Sequence, residues 1–159
     1  MQHQIANDIL IPEMERMLNE GREVLFTPSG VSMRPFIEGG RDSVVLRRPE
    51  APIRRGDILL ARYVRPDETE TYVLHRVLRV DQDGTIVLQG DGNMLGEERI
   101  QPENVLGIVT RIQWPSGHRK PMCRGRLWQA LMPVRRWLLK IYRHSVLKIA
   151  YYRKLKSER

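Results

Sequence analysis

Apolar residues at the start of the chain recur at helical spacing: Ile5, Ile9, Leu10, Met14, Met17 and Leu18. The pattern predicts a helix over residues 3–20, with Gly21 as its C-terminal stop. Pro12 falls inside it and predicts either a kink or a start near residue 11. A segment of this length is too short to be an independent helix-turn-helix DNA-binding module.

From Glu23 to Trp114 the pattern changes to short apolar, β-branched runs separated by turn residues. The expected strands are Val24–Thr27, Ser43–Leu46, Ile58–Ala61, Tyr72–Val80, Thr85–Leu88 and Val105–Ile112. Glu38-Gly39-Gly40 and Arg54-Arg55-Gly56-Asp57 precede the second and third, and Asp83-Gly84 sets up a hairpin between the fourth and fifth. Short strands with Gly-rich or Pro-rich connections predict a coiled, mostly antiparallel sheet rather than βαβ units.

Beyond Pro133, helical periodicity returns. Val134, Trp137, Leu138, Ile141, Ile149, Tyr152 and Leu155 fall on one broad face, and Arg135, Arg136, Lys140, Arg143, Arg153 and Lys154 mostly fall elsewhere. Charge sharpens this division. The chain carries a net charge of +8, but residues 119–159 hold 13 Lys or Arg and one acid, Glu158, leaving 14 bases and 18 acids before them. Three segments result: a helical segment, 1–22; a β-rich body, 23–118; and a basic helical tail, 119–159. Trp and Tyr beside Lys and Arg suit an interfacial helix on an anionic membrane surface. The same apolar face could instead dock on the body or on a protein partner. Nucleic acid is the least favoured partner, because no recognised motif accompanies the charge.

No run of about eighteen apolar residues occurs, so no transmembrane helix is expected. Met1-Gln2-His3-Gln4 lacks the basic flank and apolar stretch of a secretory signal. Cys123 is the single cysteine, which rules out an intramolecular disulfide and fits a reducing compartment. These features predict a cytoplasmic protein, peripheral to the membrane if the tail binds there.

Candidate chemistry begins at Thr27-Pro28-Ser29-Gly30-Val31-Ser32-Met33-Arg34-Pro35-Phe36. Ser32 lies between Gly30, which tolerates positive φ, and Pro35, which fixes its own φ and biases its predecessor. A serine on such a kinked backbone suits a nucleophile, and it equally suits an ordinary turn. A serine hydroxyl needs a base. All five lysines lie at 120, 140, 148, 154 and 156, so a lysine base would have to come from the tail. Among His3, His75, His118 and His144, His75 alone lies inside an expected strand, on the face shared with Val73 and Val77. It reads as a base, which histidine can be near neutrality without deep burial, or as a hydrogen-bonded core histidine. Asp91, in Gln89-Gly90-Asp91-Gly92-Asn93, could orient the ring or form an Asx-turn, and Glu97 is a second acid nearby.

Four segments, in order, carry a resemblance: Ser29-Gly30-Val31-Ser32-Met33-Arg34-Pro35-Phe36, Arg55-Gly56-Asp57-Ile58, His75-Arg76-Val77 and Gly90-Asp91-Gly92-Asn93. Over roughly residues 24–113 the chain resembles the superfamily of signal peptidases and LexA-type self-cleaving repressors. The base at position 75 places the likeness with the branch that uses histidine rather than lysine. The resemblance implies a LexA-like coiled sheet and serine endopeptidase activity without cofactor or metal. Ser32 is then the nucleophile, its N–H part of the oxyanion hole, and His75 the general base. Asp91 or Glu97 orients the ring, and Gly30, Met33 and Pro35 line the substrate site. The substrate implied is a peptide or preprotein. Two departures are the missing N-terminal membrane span of signal peptidases and the missing DNA-binding domain of repressors. The alternative expectation is a catalytically idle binding module of the same fold, held at a membrane or partner by its tail.

Overall fold

The structure is a computed structural model that describes residues 7–93 and 96–120, with scattered positions between 130 and 144. The chain divides into two units, 1–124 and 125–159.

In the first unit, helix α1 (Asn7–Asn19) runs through Pro12. Proline removes one amide donor, the one that would reach Asp8, and the rest of the helix absorbs the loss. The helix ends as the sequence predicts. Gly21 takes φ +76°, its N–H donates to Leu18, and the Arg22 N–H donates to Met17, a paired cap that satisfies two orphan carbonyls. Ile11, Met14 and Leu18 form the buried seam of α1, with Leu10 and Met17 at its margins.

The strands are β1 (Val24–Phe26), β2 (Ser43–Arg47), β3 (Ile58–Val64), β4 (Glu70–Val80), β5 (Ile86–Gln89), β6 (Glu98–Ile100), β7 (Val105–Gln113) and β8 (Arg119–Lys120). They form one antiparallel sheet of order β1-β2-β7-β3-β4-β5-β6, with β8 pairing β7. Six of them lie where the apolar pattern predicts. β6 and β8 were not expected, because each is short and polar. Arg119 and Lys120 therefore belong to the body, not to the tail: the Ser116-Gly117 turn folds them back on Ile112 and Gln113.

Register shifts at Val45/Leu46, Leu60/Ala61 and Val77/Arg79 mark bulges, which increase local twist and curl the sheet. Both faces are covered. One cluster gathers Met14, Leu18, Val44, Leu46, Leu60 and Leu106 under α1, and the other gathers Leu59, Ala61, Val77, Ile86 and Leu88.

The apolar face expected of the tail falls largely outside the described residues. Of that face, Val134, Trp137, Leu138 and Ile141 are helical, with Val134 and Trp137 exposed. Among the described residues, no helix is long and apolar enough to cross a membrane.

Candidate functional site

Ser32 sits on a long connection between β1 and β2 that is tied at several points. Met33 and Ile37 are buried in the first apolar cluster, and full burial of such a side chain contributes about 1.5–3 kcal/mol. The Gly40 N–H reaches back to the Pro28 carbonyl at 2.7 Å, closing the loop on itself. A Cβ on Gly39 would lie 2.0 Å from the Gly30 carbonyl oxygen, so only glycine permits this crossing. Arg34 and Glu38 form an ion pair across one turn of the loop.

The Gly90–Asn93 loop supports this segment from behind. The Gly92 N–H donates to the Ser32 carbonyl at 2.7 Å. A Cβ on Gly90 would lie 2.5 Å from that same oxygen, so the glycines allow backbone to press on backbone. Between them Asp91 is buried, and its carboxylate takes Arg76. Arg76 Nε donates to both oxygens at 2.9 and 3.0 Å, and Nη2 donates to Oδ2 at 2.7 Å. Nη1 donates to the Gly56 carbonyl at 2.9 Å, and the guanidinium lies 5.4 Å from the Phe36 ring centroid. Asp91 thus holds an arginine that in turn holds the Ser32 loop.

His75 is buried in β4, and its Nδ1 lies 2.9 Å from Glu98 Oε2. An ionised carboxylate only accepts, so Nδ1 carries the hydrogen, and in the neutral ring Nε2 is the acceptor. Sheet register places the pair: Val77 lies opposite Leu88, and Leu88 opposite Glu98. His75 is two residues from Val77 on the same face, and its ring meets Glu98 across the end of β5, which lies between the two strands. Gln89 Nε2 holds the Gly96 carbonyl at 3.0 Å and fixes the approach to β6.

Ser32 and His75 line one cleft of about 300 Å³, together with Gly30, Met33, Leu74 and Glu98. Its floor includes residues 71–75 of β4, upstream of Arg76, where pairing with β5 begins. The Ser32 N–H makes no hydrogen bond among the described residues.

Several expectations change with this geometry. Asp91 does not reach the histidine, because the buried Arg76 claims both its oxygens. Glu97 points to the exposed Arg79, which donates to it at 3.2 Å. The ring's carboxylate is Glu98, the first residue of β6, whereas Glu97 lies just before the strand and is exposed. Pro35 is not among the cleft walls, whereas Gly30 and Met33 are. Among the described residues, no three His, Cys, Asp or Glu side chains gather to hold a metal ion.

Behind the loop, Asp42 is fully buried. Burial pushes its carboxyl up, but Arg41, the Glu38 N–H and Lys120 outweigh it and hold the pKa at about 2, against an ordinary 3.8. Its stabilisation is therefore complete above about pH 4 and is lost as pH falls toward 2, a loss of about 2 kcal/mol. The variant Asp42→Asn is expected to flatten the acid limb of the stability curve over that window. An unchanged limb in urea titrations at pH 2–4 would remove Asp42 as its source.

No protein-family model and no curated protein matches this chain.

Proposed function

We propose that the chain is a serine endopeptidase in which Ser32 is the nucleophile, His75 the general base and Glu98 the group that orients it. The observation that carries this reading is the cleft itself. Ser32 shares it with a histidine whose Nδ1 is held by a carboxylate, which leaves Nε2 of the neutral ring as the nitrogen that could accept a proton. The fold proposed is that of the signal peptidases and LexA-type repressors, which the antiparallel sheet and the order of the four matching segments support.

An extended substrate pairs with the edge of β4 at residues 70–75, as peptides add to exposed strand edges. Ser32 Oγ attacks the scissile carbonyl carbon while Nε2 takes its proton. The carbonyl oxygen gains the negative charge and receives the Ser32 N–H, a type of donor worth about 2.7–4 kcal/mol in related chemistry. The imidazolium returns the proton to the leaving amine as the C–N bond breaks. Water then repeats the cycle on the acyl-enzyme, and His75 again takes and returns a proton.

Glu98→Gln tests the arrangement. The amide keeps the size of the side chain but removes the charge that stabilises the imidazolium and fixes the tautomer. Cleavage of a proteome-derived peptide library, read by mass spectrometry, is expected to slow about 10²–10⁴-fold. An unchanged rate would leave Glu98 a structural partner of the ring and nothing more.

A further inference from the structure

We propose that Lys120 is a positioning residue for the Ser32 loop, clamping it to the end of the sheet through the Phe36 carbonyl and the Asp42 carboxylate. The inference rests on the reading of Ser32 as the nucleophile. Lys120 Nζ donates to the Phe36 carbonyl and, at 3.0 Å, to Asp42 Oδ2. One ammonium meets two acceptors of different kinds, a geometry its rotatable donors suit. The lysine is 16% exposed and its carboxylate partner 0%.

The other donors to Asp42 among the described residues cannot do the same. Arg41 and the Glu38 N–H belong to the loop, so their bonds shape it without anchoring it elsewhere. Lys120 comes from β8, which is paired to β7, so its bonds connect the loop to the sheet. Phe36 is consequently held by its carbonyl through Lys120 and by its ring through Arg76. Phe36 is four residues from Ser32, and the intervening turn is closed by the Phe36 and Ile37 N–H groups on the Met33 carbonyl. Releasing the carbonyl lets that turn shift. Displacements near 1 Å can slow a reaction about 100-fold without changing what binds.

The test compares the full chain with Lys120→Met, Lys120→Arg and Ser32→Ala, using the peptide library for kinetics and amide hydrogen exchange for the loop. Lys120→Met is expected to lower kcat about 10–100-fold with KM within about twofold, the signature of lost transition-state alignment. Amides of residues 33–42 should exchange faster while those of β3, β4 and β7 do not change. Lys120→Arg, which keeps a charged donor, should recover most of both. Wild-type kcat in Lys120→Met overturns the proposal, as does faster exchange spread through the sheet. If wild type and Ser32→Ala are equally inactive, the peptidase reading falls. Lys120 is then reduced to a clamp, which the exchange result alone upholds or overturns.

Discussion

Replacing Ser32 with alanine is expected to abolish peptide cleavage and to leave the fold unchanged. The expected loss is on the order of 10⁶-fold, because a nucleophile and its base act as a unit and neither replaces the other. The cost in stability is small, since the half-buried Ser32 hydroxyl makes no hydrogen bond among the described residues. Substitutions that break no packing or hydrogen bond typically change stability by about 0.5 kcal/mol or less. His75→Ala is expected to abolish cleavage as fully but is a less clean test, because it strips Glu98 of its ring partner inside the cleft wall. Peptide products analysed by mass spectrometry, with the circular dichroism spectrum as the fold control, decide the matter. Cleavage by Ser32→Ala at the wild-type rate would end the assignment. A wild type that binds peptides without cutting them, and binds them equally well as Ser32→Ala, would make the cleft a recognition groove.

How much of this site was legible in the sequence depended on what each residue needed to be recognised. Ser32 and His75 sit in segments with strong local signals: a Gly/Pro-framed turn and a long β-branched strand. Glu98 had none. Its strand is three residues long, and Ile100 is the one apolar residue in it. Periodicity cannot mark so short an edge strand, and pairing with β5 is what creates it. Asp91 misled because an acid between two glycines looks aimed at a catalytic partner. The better clue was Arg76, on the face of β4 that carries Leu74 rather than His75. A guanidinium at a core position requires a carboxylate, since an unpaired buried charge is too costly. Lys120 was grouped with the tail because charge density, not pairing, drew that boundary. The turn at Ser116-Gly117 was the available sign that the chain doubles back.

That buried pair also sets the largest expected stability effect. Asp91→Ala leaves Arg76, 1% exposed, without its carboxylate inside the body. Breaking a buried ion pair by removing one partner costs about 3–5 kcal/mol. Against a total of about 5–15 kcal/mol for a typical domain, this is a large share. It corresponds to a fall of about 10 °C in Tm for a chain of this size. The double variant Arg76→Met/Asp91→Leu removes both charges and should recover much of that loss, because apolar replacement of a whole buried pair is often neutral. Recovery of stability should not bring recovery of activity. Without the guanidinium, the Phe36 ring loses its cation and the Gly56 carbonyl its donor, so the loop behind Ser32 is no longer held from that side. Urea unfolding of the three proteins, paired with library cleavage, separates the two roles. A double variant that regains both would make the pair a matter of folding alone. One that regains only stability would show that the ion pair is retained for the position of Ser32, at a site where apolar residues would serve the fold as well.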